Sequence, residues 1–371
     1  MKILQILPEL DAGGVERGTL EIARHLVANG HESIVVSNGG RLVGQLEEEG
    51  SRHITLPVHR KSPASLAHVR PLRRMLEHEK PDVVHYRSRV PGWITWLAWR
   101  GMDPQARPRL VSTVHGFYSV NAYSAVMTKG ERVIAVSNSV RTYIHENYPK
   151  TPPARIRVIP RGIALEGHHP QQRPTAAWLD AWNSQFPMLD GKCVLLLPGR
   201  ITRLKGHEDF FRLIAELKRA GHPVHGLIAG DTHPKKRAYL GELQTRVAEA
   251  GLANDVTFLG HRSDIREVMT VSHIVCALSQ QPESFGRTVL EALALGKPVV
   301  GYDCGGVGEL LAEFFPAGKI APGDAAGLAG AAAAIIRDRP VPGTVGEPFT
   351  IDCMCRATAA VYQELLASPR A

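Results

Sequence analysis

Short apolar runs and amphipathic stretches alternate along almost the whole chain. In its first part, apolar runs at 2–7, 32–37, 53–56, 82–85, 109–114, 132–136 and 156–159 predict strands. Apolar positions at helical spacing predict helices between them, over 15–29, 66–79, 93–100 and 137–147. Strands separated in this way by helices predict a parallel sheet wound on both faces.

Around 168–187 the alternation breaks at several prolines and a polar stretch, and a domain boundary is predicted there. It then resumes, with strands at 192–198, 224–229, 256–259, 274–277 and 298–301. Helices are predicted over 207–220, 235–250, 265–270, 287–295 and 325–337, and a last one over 354–366. The expected architecture is α/β. Residues 1–170 and 171–350 each form a Rossmann-like parallel-sheet domain, and residues 351–371 form a C-terminal helix. The two domains are expected to face a cleft, since open parallel sheets bind ligands beyond the carboxyl ends of their strands.

Composition narrows the class. The chain has 371 residues, 44% hydrophobic and 22% charged, as expected of a folded two-domain protein. Two uncharged apolar stretches, 90–99 and 327–336, are about half the roughly 20 residues a membrane-spanning helix needs. The apolar start, Met1 to Leu7, is short for a signal-peptide core and reads as a first buried strand. The five cysteines, Cys193, Cys276, Cys304, Cys353 and Cys355, have no CxxC spacing. They are read as reduced thiols of a cytoplasmic protein without structural zinc.

Charge is unevenly placed. Through Pro174 there are 24 basic and 15 acidic residues, a net of +9; from Thr175 on there are 20 and 21, a net of −1. An anionic partner is therefore expected for the first half alone. Nucleic acid, anionic headgroups or a phosphorylated acceptor would each satisfy the charge. Within that half, Arg60, Lys61, Arg70, Arg73, Arg74, Lys80, Arg87, Arg89, Arg100 and Arg107 surround Trp93, Trp96 and Trp99. The three tryptophans share one helical face. They are either core residues packed on the sheet or an interfacial anchor at a headgroup layer.

Two segments carry candidate chemistry. Leu197-Pro198-Gly199-Arg200-Ile201-Thr202-Arg203-Leu204-Lys205-Gly206 ends a strand at a glycine and places Arg200 and Lys205 ahead of a helix. Such a pair of cations can neutralise the charge that grows on a departing diphosphate. Pro282-Glu283-Ser284-Phe285-Gly286-Arg287-Thr288-Val289-Leu290-Glu291 places Glu283 before a helix start and Glu291 inside the helix. Gly286 permits close backbone approach, and the helix N-terminus offers N–H groups to a phosphate. Glu291 could accept both hydroxyls of a ribose. The first strand, by contrast, runs into Asp11-Ala12-Gly13-Gly14-Val15-Glu16-Arg17-Gly18, which lacks the GxGxxG of a nicotinamide or flavin site.

Together these segments resemble the family-four retaining glycosyltransferases of the GT-B fold. The resemblance runs in order through Gly13-Gly14-Val15-Glu16, Val114-His115-Gly116, Val136-Ser137, Ile159-Pro160-Arg161-Gly162-Ile163 and the Gly199–Gly206 segment. It continues through Ala229-Gly230, Phe258-Leu259-Gly260-His261, the two-glutamate motif and Gly305-Gly306-Val307-Gly308-Glu309. The resemblance implies that Arg200 and Lys205 grip a donor diphosphate and that Glu291 holds the ribose. Glu283, with the backbone of Phe285 and Gly286, would hold the sugar hydroxyls. Backbone N–H groups of Arg287 and Thr288 would complete the phosphate cradle, and His261 would edge the base. Gly13 and Gly14 would approach the reaction centre, and His115 would sit beside the transferred sugar. The final helix would cross back to the N-terminal domain.

The family's chemistry keeps the anomeric configuration by front-face displacement, the leaving phosphate helping to deprotonate the acceptor hydroxyl. No Asp-x-Asp occurs in the chain, so no catalytic metal is expected, and the nucleotide sugar is a substrate rather than a cofactor. UDP is favoured by its frequency in the family. A glycan or glycolipid acceptor such as a lipopolysaccharide core, with peripheral contact to an anionic membrane, is expected for the basic half, and no nucleic acid. A nucleotide-sugar epimerase of the same fold is the alternative enzyme. A non-catalytic nucleic-acid or membrane-binding module leaves the motif series of the neutral half unexplained. Relatives often read Asn-Gly-Val-Asp where this chain has Arg161-Gly162-Ile163-Ala164. Arg287 stands where many carry an aliphatic residue; it either reads an anionic group or pairs with Glu291 one turn on.

Overall fold

A computed structural model, describing residues 1–11, 13–232 and 237–369, contains two parallel sheets. The first is built from β1 (Lys2–Ile6), β2 (Glu32–Ser37), β3 (Arg52–Thr55), β4 (Val83–Tyr86), β5 (Arg109–Val114), β6 (Arg132–Ala135) and β7 (Ile156–Val158). Their order is β3-β2-β1-β4-β5-β6-β7. The helices between are α1 (Gly14–Ala28), α2 (Val43–Glu48), α3 (Val69–Glu79), α4 (Arg89–Arg100) and α5 (Asn138–Asn147). The central strands β4 and β5 are buried along their whole length, as strands covered on both faces must be.

The second sheet has β8 (Cys193–Pro198), β9 (Val224–Ala229), β10 (Val256–Gly260), β11 (Ile274–Ala277), β12 (Val299–Tyr302) and β13 (Lys319–Ile320), in the order β10-β9-β8-β11-β12-β13. Its helices are α6 (Ala176–Gln185), α7 (His207–Arg219), α8 (Arg237–Glu249), α9 (Ile265–Val271), α10 (Arg287–Ala294), α11 (Gly306–Phe314) and α12 (Ala325–Asp338). The start expected for α8, at Lys235, lies outside the described residues. A last helix, α13 (Ile351–Ala367), follows.

The chain divides into two units, Met1–Gly162 with Pro348–Ala371, and Ile163–Glu347. The last helix therefore belongs with the first sheet. Met354, Val361, Tyr362 and Leu365 of α13 are buried in one core with Ile3, Val83 and Val111. Each such side chain contributes about 1.5–3 kcal/mol by leaving water. A buried hydrogen-bonded chain fixes the same helix: the His85 ring meets Tyr362 Oη at 2.7 Å through Nδ1 and Thr113 Oγ1 at 2.7 Å through Nε2. Among the described residues no helix is long and apolar enough to cross a membrane.

Helix α6 lies inside the stretch whose prolines read as a break. Thr175 caps it by accepting from Trp178 N at 3.3 Å, and Pro174 and Pro187 stand just outside its two ends. Trp178, Trp182 and Phe186 fall four apart on one face, Trp178 stacking on Trp182 at 5.0 Å and Trp182 meeting Phe186 at 4.5 Å. The prolines thus mark a helix's limits rather than a linker. The tryptophans of α4 are half-buried. Trp93 and Trp99 donate their indole N–H to Tyr123 O and Pro108 O at 2.8 and 2.7 Å. Arg100 and Lys129 lie over the Trp96 ring.

Two buried histidines of the second unit make stability pH-dependent. Burial pushes His207 and His225 down to about 4, against about 6.5 in the unfolded chain. Between those values the unfolded chain takes up the protons first, so their contribution is whole above about pH 6.5 and is lost as pH falls toward 4. In chemical denaturation these two residues are expected to make stability at pH 5 about 2–4 kcal/mol lower than at pH 7.5, and the buried His85 and His115, shifted in the same direction, add to that loss. The double variant His207→Gln/His225→Gln is expected to flatten that slope; an unchanged slope would refute the assignment.

Candidate active site

In the second sheet, β8 connects outward to β9 on one side while β11 leads to β12 on the other. Loops that leave neighbouring strands in opposite directions open a crevice at their carboxyl ends. Both candidate segments emerge there. Gly199, at φ 139°, follows β8, and a Cβ on Gly230 would fall 1.8 Å from the Gly199 carbonyl oxygen. Gly230 N in turn donates to Gly260 O at 2.8 Å, so the turn carrying His261 is joined to the same rim. His261 and Arg200 are exposed. Among the described residues Arg200 has no carboxylate at ion-pair distance.

Gly206 brings Lys205 inward. It sits in the left-handed region at φ 70°, and a Cβ there would lie 2.0 Å from Leu278 O at the end of β11. Lys205 Nζ thereby donates to Glu283 Oε1 at 2.6 Å, with both side chains about 30% exposed (31% and 30%). Ser279 Oγ donates to the same oxygen. Glu283 is held from behind by the glycine pair Gly305-Gly306. It forms a parallel bridge with Gly305, and Gly306 N donates to Glu283 O at 2.7 Å. These two motifs, separate in the sequence, are one structural unit.

Gly286, at φ 89° and ψ 46°, then turns the chain into α10. The helix opens with Arg287 and Thr288, beside the buried ring of Phe285. Of the two roles open to Arg287, the ion pair is present: its Nε donates to Glu291 Oε1 at 3.2 Å, on a carboxylate 16% exposed.

The first unit carries the remaining candidates. Gly13, at φ 154°, precedes α1, and a Cβ on it would lie 2.4 Å from Glu16 Oε2; Gly14 has nothing within 4 Å of such an atom. His115 follows β5 and receives a hydrogen bond from Arg161 Nη2 on Nδ1 at 2.8 Å. Burial holds this imidazole well below its ordinary range, and the Arg161 and Arg87 guanidiniums and His85 add to the shift. His115 is therefore neutral at pH 7, and with Nδ1 accepting, its proton is assigned to Nε2. Arg161 in turn packs on α1, where a Cβ on Gly18 would come 2.2 Å from its Nη1. The sequence marks Arg161 as a departure at the domain junction. Its bond to His115, from 46 residues away, has no local signature.

Comparison with known proteins gives one consistent result. A sequence family described as Glycosyltransferase Family 4 matches residues 12–166, and one described as Glycosyl transferases group 1 matches residues 180–347. The lipopolysaccharide core biosynthesis mannosyltransferase LpsB of Rhizobium meliloti is 33% identical over 178 residues, 45% of this chain and 50% of that protein. The match thus spans about half the length of that relative. A glycosyltransferase crystal structure from Rickettsia africae superimposes with a TM-score of 0.87 at 29% identity, covering 99% of each chain. The HepE structure of Anabaena in complex with UDP shares the fold, with a TM-score of 0.81 at 21% identity over 98% of this chain and 100% of that one. Two Rossmann-like units with a last helix returned to the first, and both family matches in chain order, place the protein in the GT-B glycosyltransferases, family 4 in its first half and group 1 in its second.

Proposed function

We propose that the chain transfers a sugar, with retention of anomeric configuration, from a nucleotide-diphosphate donor held by the second unit to a hydroxyl of an acceptor received by the first. The observation that carries this reading is the Lys205–Glu283 pair, set at a topological switch point beside the N-terminus of α10. An ammonium has three N–H donors, so Lys205 can keep Glu283 and still face a diphosphate. Exposed Arg200 would supply the second cation. As the bond from anomeric carbon to diphosphate oxygen breaks, the electron pair leaves on that oxygen and the two cations oppose the growing charge. The acceptor oxygen forms the new bond on the same face, and its proton goes to the leaving phosphate.

This demand is for positioning and charge rather than for a strong base, and Lys205 and Arg200 supply the charge a metal would otherwise bring. Glu283 is proposed to fix sugar hydroxyls and Glu291 the ribose. UDP is proposed as the donor nucleotide, after its frequency in the family. A glycan or glycolipid such as a lipopolysaccharide core is proposed as acceptor. The likeness to LpsB and the charge of the first unit support that class.

A thermal-shift comparison of UDP, GDP and ADP tests the donor reading. The correct nucleotide at a hundred times its Kd is expected to stabilise the chain by about 2.7 kcal/mol, and the others by far less. No shift with any of the three would overturn it.

A further inference from the structure

The first sheet has its own switch point. In the order β3-β2-β1-β4-β5-β6-β7, β1 leads toward β2 and β4 toward β5, so the crevice opens between the carboxyl ends of β1 and β4. Arg87 stands there. It is the first residue past β4, and its backbone N–H donates to Ile6 O at the end of β1 at 3.0 Å. Its side chain is 1% exposed, yet Nε and Nη2 have no hydrogen-bond partner. His115 follows the neighbouring strand, paired in register Tyr86 to Ser112, and its Nε2 is likewise buried without a partner.

An arginine is almost never buried in this condition, because an unmet charged donor costs more than a neutral one. Positive charge gathers here too. Arg87 and Arg161 both act on His115, and the Tyr362 phenol, Cys355 and Glu21 act on Arg87. Both guanidiniums bear charge. The surrounding groups His85, Tyr362 and Cys355 carry none: the imidazole is pushed down by burial, and the phenol and thiol are pushed up.

We propose that Arg87 and the Nε2 edge of His115 form an anion subsite at the β1–β4 switch point, taking one carboxylate or phosphate group of the acceptor. Two N–H groups of one guanidinium match two oxygens of such a group in parallel, and a neutral His115 with its proton on Nε2 donates a third bond. The subsite rests on the reading that the first unit receives the acceptor, and it names the substrate class: an acidic glycan bearing a uronate or a phosphate monoester.

Thermal shifts with inorganic phosphate and with glucuronate, against glucose as the neutral control, test it on the full chain. Wild type is expected to be stabilised by at least one of the two anions and not by glucose. A response to phosphate alone that depends on Arg87 would assign a phosphorylated acceptor; one to glucuronate would assign a uronate. Arg87→Met, which fills similar volume and removes the unpartnered donors, is expected to weaken the response at least tenfold. Should that variant fail to fold, His115→Gln is expected to weaken it in the same direction. Lys205→Ala weakens the separate phosphate site proposed for the second unit, so it is the background for the comparison, and in it the Arg87-dependent part of the response is expected to persist. Wild type without a response to either anion, an unchanged response in the Arg87 and His115 variants, or loss of the Arg87-dependent part in Lys205→Ala would overturn the subsite. Nucleotide stabilisation is a separate readout, so it can persist when the subsite fails.

Discussion

Lys205→Ala is expected to lower kcat for sugar transfer about ten- to a hundredfold while moving the unfolding free energy by no more than about 1 kcal/mol. The two effects separate because the residue has two unequal jobs. In the resting chain its ammonium pairs with Glu283 at 2.6 Å, but both side chains are about one-third exposed (31% and 30%), so water replaces the pair at little cost. During transfer it faces charge that exists only as the leaving bond breaks. A charge-assisted hydrogen bond of that kind is worth about 1.5–3 kcal/mol. Because the interaction grows toward the transition state, kcat is expected to fall with donor KM changing less. Lys205→Arg is expected to recover part of the rate. Steady-state kinetics on each variant, with thermal melts alongside, decide the matter. Wild-type kcat in Lys205→Ala removes this residue from the mechanism, and a loss that tracks unfolding makes its role structural.

The pairing of Lys205 with Glu283 also shows where reading the sequence stops. The strands at 32–37, 109–114, 224–229 and 274–277 have the predicted limits, because burial along nearly their whole length keeps them largely apolar. The charge asymmetry survives the structural division too. Met1–Gly162 with Pro348–Ala371 holds 25 basic and 16 acidic residues, again +9. Helices α6 and α11 were hidden by their surroundings, prolines around the first and a glycine-rich start in the second. Residues Lys205 and Glu283 are each visible as candidates, but their contact spans 78 positions and depends on Gly206 fitting against Leu278. Arg87 was one of many cations in a basic segment, where a solvated charge is the ordinary reading. Only its burial, with two donors unmet, sets it apart.

Gly306→Ala is expected to cost about a hundredfold in transfer and about 1–3 kcal/mol in stability, from a single added methyl group. A Cβ at this position would lie 2.4 Å from Phe285 Cα and 2.5 Å from its carbonyl oxygen. Both are backbone atoms, so no rotamer change relieves the contact and the segment from Glu283 to Phe285 must move. That segment holds the carboxylate that meets Lys205, and it leads into Gly286 at the start of α10. The Gly306 N–H bond to Glu283 O at 2.7 Å ties the two loops together, so the displacement cannot be absorbed on one side alone. A shift near 1 Å in groups that position a reacting centre costs on the order of a hundredfold in rate. Gly241→Ala is the control. This glycine is exposed within α8, has nothing within 4 Å of its would-be Cβ, and should gain up to about 1 kcal/mol of helix propensity with no change in rate. Equal behaviour of the two variants in kcat and melting temperature would mean that the glycine clamp does not set the position of Glu283.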